Sequence, residues 1–131
     1  MSTRATILIK DESSKQYFYR HSDGYPSCTG ESLKEFVKDY QNGKMRTNVH
    51  QSCGWLIIHG REEYAKEGLL DAIYSQWKVG AYEPIDCITE DSEYLYIIDL
   101  DKMTLEAFIA VNGKKKSKIK DFETISFKTK E

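Results

Sequence analysis

The chain has 131 residues, a formal net charge of −2, 40% apolar residues and 12% aromatics, with nine tyrosines. This composition excludes intrinsic disorder, which needs few aromatics and a high net charge, and excludes a bulk attraction to nucleic acid or anionic lipid. The length predicts a single domain, residues 1–131, that buries roughly two-thirds of its unfolded surface without help from metal or disulfide.

Arg4 to Lys10 alternates around Ala5, Ile7 and Ile9 and reads as a strand. Asp11-Glu12-Ser13-Ser14 is a polar turn, and Gln16 to His21 is the second strand of an antiparallel hairpin. Tyr17 and Tyr19 then share one face, and Phe18 and Arg20 the other. Asp23-Gly24-Tyr25-Pro26 breaks the strand.

The first helix is marked by Leu33, Phe36, Val37 and Tyr40 on one stripe. Ser32 followed by Glu35 has capping-box spacing, and Asn42-Gly43 is the stop. Asn48 caps a second helix carrying Val49, Cys53, Leu56, Ile57, Gly60 and Tyr64 near one face. Gly54 and Gly60 weaken that reading by ~1 kcal/mol each, unless they admit a close neighbour. A short buried strand at Trp55–Ile58 is the alternative. Leu69, Leu70, Ile73, Tyr74 and Trp77 suggest a third helix closed by Gly80.

Three β-rich segments follow, Ile85–Thr89, Tyr94–Leu100 and Thr104–Val111, with Asn112-Gly113 as a hairpin turn and a last strand near Thr124–Phe127. Strands, then helices, then strands predict an α+β domain. Its sheet is mostly antiparallel, built from the N-terminal hairpin and a C-terminal meander, with two to three helices packed on one face.

Charge is uneven. Residues 82–101 carry seven carboxylates and no Lys or Arg, and Lys114 to Lys120 holds five lysines. The plain reading is a solvated acidic edge and a solvated basic loop. The sharper one is an acidic face that mimics nucleic acid or meets a basic partner. Cys28, Cys53 and Cys87 are odd in number and far apart, unlike a secreted disulfide framework. The start shows no charged-then-apolar leader, and no apolar run approaches the ~20 residues of a membrane span. A cytoplasmic setting is the expectation.

The densest polar cluster is Arg20, His21 and Asp23 at the end of the second strand, with Arg4 on the neighbouring strand. A His–carboxylate pair suits acid–base work, and two guanidinium forks suit a phosphate or carboxylate. The structural alternative has Asp23 capping the turn, His21 bonded to a backbone carbonyl and Arg20 packing its stem over a tyrosine. His50, Cys53 and His59 lack CxxC or HExxH spacing, so no metal is expected there. Asp99 and Asp101 form a DxD that serves a divalent cation or, more simply, a turn. There is no GxSxG, P-loop or GxGxxG, and no cofactor is expected.

Met1-Ser2-Thr3-Arg4-Ala5-Thr6-Ile7, Tyr19-Arg20-His21-Ser22-Asp23-Gly24-Tyr25-Pro26 and Glu93-Tyr94-Leu95-Tyr96-Ile97-Ile98-Asp99 together resemble a loose set of uncharacterised small proteins of bacteria, notably gut commensals, and of their phages. The resemblance covers about a fifth of the chain and implies a phage or mobile-element origin without implying an activity.

The leading expectation is a non-enzymatic binding protein. Arg4 and Arg20 would contact an anion, His21 and Asp23 would add polar contacts, and Tyr19 and Tyr25 would form walls. Its partner is a small anionic ligand, such as a nucleotide, or a host protein. Membrane is not expected as a partner, nor is nucleic acid, since no basic stripe flanks the Tyr17 and Tyr19 rings. The rival is a small hydrolase or nuclease with His21 as base, Asp23 as its orienter and Arg20 stabilising developing charge. A third reading is an assembly protein that forms a homo-oligomer through its sheet edge.

Overall fold

The computed structural model describes residues 3–69 and 80–128. Strand β1 (Ala5–Lys10) pairs antiparallel with β2 (Lys15–Arg20), with Ala5 opposite Arg20. Asp11 closes the connection by accepting from the backbone N–H groups of Ser13 and Ser14, each at 2.8 Å. Phe18 and Arg20 are buried on one face, while Tyr17 and Tyr19 lie half-buried on the other.

One π-helical turn, Pro26–Gly30, runs directly into helix α1 (Glu31–Gln41). The apolar stripe behaves as its spacing predicts: Leu33, Phe36, Val37 and Tyr40 are all buried. The capping box does not form. Gly30 at the boundary is already helical and no side chain caps it, so Ser32 lies inside the first turn. Its hydroxyl turns to α2 instead, where it donates to Glu63 at 2.6 Å.

Helix α2 (Val49–Lys66) starts on Asn48, whose side chain accepts from the N–H of Gln51 at 2.8 Å. Trp55 and Ile58 are exposed and Leu56 is buried, so the segment is amphipathic helix and not a buried strand. Of the two glycines, only Gly60 admits a close neighbour. A Cβ there would lie 2.7 Å from the Tyr82 ring, whereas Gly54 faces open space. The returning chain crosses at Gly60, and Ala81 donates to its carbonyl at 3.3 Å. The expected third helix falls mostly on residues 70–79, outside the described residues.

The remaining strands are β3 (Glu83–Ile85), β4 (Tyr94–Asp99), β5 (Thr104–Val111), β6 (Lys114–Lys118) and β7 (Ile125–Ser126). The seven-stranded sheet runs β3-β2-β1-β4-β5-β6, with β7 also paired to β5. It is mostly antiparallel. The exception is β1 with β4, where the hairpin and the meander meet side by side in parallel, Ala5 beside Tyr94. The fold is therefore α+β, with two helices packed on the sheet.

Two expectations about the second half change. The strand placed at Ile85–Thr89 ends at Ile85, and the chain bends away over residues 86–93. The lysine run expected as a loop is an exposed edge strand, because Asn112-Gly113, both with positive φ, turn it straight back onto β5. Lysines on an edge also oppose unwanted strand pairing.

Helices cover one sheet face, where Ile7, Ile9, Phe18, Tyr96, Ile98 and Leu105 are buried against Leu33, Phe36 and Leu56. Each such side chain contributes about 1.5–3 kcal/mol relative to exposure. The opposite face carries a smaller cluster of Leu8, Leu95 and Ala110, flanked by Tyr17, Ile88, Ile97 and Phe108.

Candidate functional site

The turn after β2 is rigidly held. Asp23 adopts a positive φ of 59°. Its carbonyl accepts from the Thr29 hydroxyl at 2.7 Å, and the buried Tyr96 hydroxyl donates to the carbonyl of Gly24 at 2.7 Å. Gly24 also donates its N–H to Thr3, at 2.9 Å, which ties the turn to the start of β1.

This turn does not gather the six predicted site residues. Strand alternation sends Arg20 to the helix side with Ala5 and Phe18, while Arg4, Tyr19 and His21 lie on the other side. There, the Arg4 guanidinium meets Asp91 at 3.1 Å. The Tyr19 hydroxyl donates to the same carboxylate at 3.3 Å and lies 3.0 Å from Nδ1 of His21. Burial and then the Asp91 charge raise the Tyr19 phenol above its ordinary pKa. Tyr25 is exposed, its hydroxyl 3.5 Å from Asp23.

On the helix side Arg20 is 1% exposed, and four of its five N–H donors are engaged. Its Nε donates to the carbonyl of Ser22 at 3.0 Å. Nη1 donates to Glu63 and to the Tyr82 hydroxyl, each at 3.1 Å, and Nη2 donates to Glu63 at 2.5 Å. The guanidinium also lies against the Tyr82 ring, 5.3 Å from its centroid. Ser32 donates to Glu63, so the Tyr82 hydroxyl, 2.6 Å away, donates to Ser32. The circuit Arg20–Tyr82–Ser32–Glu63 closes on itself and joins β2, α1, α2 and the segment after Gly80.

The charges follow from this geometry. Burial opposes ionisation of Glu63, but the Arg20 hydrogen bond and charge, with Ser32 adding, outweigh it and hold the carboxyl below its usual range. Burial likewise weighs against the charge on Arg20, and the neighbouring Tyr82 and Glu63 more than restore it. Tyr82, fully buried, has its pKa pushed up to about 12 by that burial.

Sequence reasoning missed Glu63, Ser32 and Tyr82. Only Glu63 left a trace, as a carboxylate seven residues after Leu56 on the buried stripe of α2. His59, considered beside His50 and Cys53, instead places Nε2 2.8 Å from the carbonyl of Ser32 and packs its ring near Phe36. Among the described residues no group of His, Cys, Asp and Glu is placed to hold a metal ion. Asp99 takes the turn role, accepting from the N–H groups of Asp101 and Lys102 and pairing with Lys10 at 3.2 Å.

Above the circuit a groove of about 600 Å³ opens between α1 and α2. The turn and α1 contribute Asp23, Glu31, Glu35 and Asp39, and α2 with its C-terminal cap contributes Glu62, Glu63 and Glu67. Its cations are Arg20, Lys44 and Lys66. Some burial, then the Glu63 charge, raise the Glu67 carboxyl above its ordinary pKa. No helix among the described residues is long and apolar enough to cross a membrane. Searches against protein-family models, curated proteins and solved structures find no match for this chain.

Proposed function

We propose that this is a binding protein whose acidic groove between α1 and α2 takes a basic segment of a partner protein. One observation carries the reading: seven carboxylates line the groove against three cations. Lys34, Lys38 and Lys44 pair with Glu31, Glu35 and Asp39 on the α1 wall, but the floor cation Arg20 is already held by Glu63, so the excess of carboxylates sets the potential a ligand meets. Most of the guanidinium's donors are spent on Glu63, Tyr82 and Ser22, which leaves no two-pronged fork for a phosphate or carboxylate. Of the two partners expected from sequence, a small anion and a host protein, the groove favours the second. A basic segment of a host protein also suits the phage or mobile-element origin that the N-terminal resemblance implies.

The hydrolase reading gains less support. It needs His21 as base and Arg20 as charge stabiliser around one substrate, and the two lie on opposite sides of β2. Ser32 has no base to activate it either, since His59 bonds to its carbonyl and Glu63 is a stabilised carboxylate.

Amide NMR titration of the full chain with an oligolysine peptide, and separately with inorganic phosphate and ATP, tests the proposal. Oligolysine is expected to shift Glu35, Asp39, Glu62 and Glu67, less so at higher salt, and Glu35→Lys with Glu62→Lys is expected to abolish the response. Shifts around Arg20 on adding phosphate or ATP, or an oligolysine response centred away from the groove, would overturn it.

A further inference from the structure

The sheet ends on β6, whose sequence Lys-Lys-Lys-Ser-Lys is exposed at every position. The hydrogen bonds of β5 show which way the β6 backbone points. Ala110, across from Lys115, donates its N–H to the carbonyl of Glu93 at 3.0 Å, on the β4 side of β5. Antiparallel partners alternate between bonded and non-bonded pairs, so Lys115 turns its own N–H and C=O away from β5. The carbonyl of Ala107 accepts from Ile119 at 3.0 Å, which gives Lys118, across from Phe108, the same outward setting. Among the described residues neither outward set has a backbone partner.

The side chains add charge to this edge. Of its four lysines only Lys118 is in an ion pair among the described residues, with Glu106 at 3.3 Å. Lys115 lies over the Phe108 ring, 4.8 Å from its centroid. Glu90 comes near at the Gly113 turn without pairing, and Asp121 and Glu123 lie past the strand's end. Lys114 is opposite Val111 and Lys115 opposite Ala110, so the two stand on opposite faces of the sheet.

We propose that the free edge of β6 takes an acidic, extended segment of a partner protein as an added strand. The outward backbone needs both donors and acceptors, which a peptide strand supplies and a phosphodiester chain, with acceptors only, does not. Lysines on both faces call for carboxylates at neighbouring positions of that strand. A second copy of β6 would set lysine against lysine, so the charge that admits an acidic strand rejects self-pairing. With a register shift between Phe108 and Ala110, the outward residues within β6 are Lys115 and Lys118, and the ladder is short. Backbone bonds therefore orient the segment while charge supplies most of the attraction, and the complex is weak and salt-sensitive. The site shares no residue with the acidic groove and does not rest on that reading.

Amide NMR titration of the full chain with capped octaglutamate tests this. Shifts are expected over Lys114 to Lys118, with slowed solvent exchange of the Lys115 and Lys118 N–H groups as they become bonded. Lys115→Glu with Lys116→Glu is expected to weaken binding about tenfold or more. Both positions are exposed, and the amide spectrum reports whether the fold is kept. The decisive arm leaves the protein unchanged. Octaglutamate N-methylated throughout keeps its charge and loses its donors, and is expected to bind about fivefold or more weakly. Equal binding of the two peptides would reduce the site to charge alone and overturn the proposal. No response to octaglutamate, shifts centred away from β6, or tighter binding of oligothymidylate at the same residues would overturn it as well.

Discussion

The Arg20–Glu63 and Arg4–Asp91 pairs flank the same hairpin on opposite faces, and both join β-structure at one end of the sheet to a segment far along the chain. Their side chains differ in exposure: 2% and 20% for Arg20 and Glu63, against 32% and 52% for Arg4 and Asp91. Water screens the second pair and leaves either partner solvated when the other is lost. The first pair sits where an abandoned charge has no such refuge. A motif that reads as one polar cluster in sequence is therefore two sites with different energetics. One is a structural lock under an acidic groove, and the other an exposed clasp on the loop over residues 86–93.

The largest expected effect tests the lock. Glu63→Ala strands the Arg20 guanidinium and is expected to cost about 3–5 kcal/mol, read by urea unfolding. Replacing both partners together, Arg20→Met with Glu63→Leu, is expected to recover most of that loss. A Glu63→Ala protein of unchanged stability would erase the contrast between the faces.

Acid unfolding sharpens the same point. The folded pKa of Glu63 lies below its unfolded value, so its contribution is fully present above the unfolded value near ~4.3 and is lost as pH falls through the lower folded one. Glu63→Gln, less stable than wild type at neutral pH, is expected to close that gap as pH falls below ~4. Parallel stability curves for the two proteins would contradict the assignment.

A smaller effect is expected at Tyr82→Phe, which removes the hydroxyl linking Arg20 to Ser32 and keeps the ring against Gly60. About 1–3 kcal/mol is expected, measured by thermal unfolding. The smallest belongs to the clasp. Asp91→Asn is expected to cost under ~1 kcal/mol, and less still in high salt. Hydrogen exchange should nonetheless show faster opening of residues 86–93, because Asp91 ties that loop to Arg4 and Tyr19.

Local features were legible wherever a short stretch of chain decides its own conformation. The Leu33–Tyr40 stripe, the Asn48 cap, the Asn112-Gly113 turn and the alternation of Tyr17, Phe18, Tyr19 and Arg20 each rest on residues a few positions apart. Ser32 shows the limit of such rules. Its spacing to Glu35 fits a capping box, but a preceding π turn carries the helix past it, and a carboxylate on another helix claims its hydroxyl.

By itself the sequence determined the α+β class, the hairpin, helix α1, the Asn48 start of α2 and the strand face that Arg20 shares with Phe18, since those follow from period and turn chemistry. The choice between helix and strand at Trp55–Ile58 fell to the structure. Only the tertiary structure decided that Arg20 meets Glu63, 43 residues away, and Tyr82, 62 away, while Arg4 and His21 turn to the other side. Periodicity specifies which way a side chain points. The partner waiting there depends on how distant elements pack, and that packing turns a cluster expected to bind an anion into a neutralised lock beneath an acidic groove.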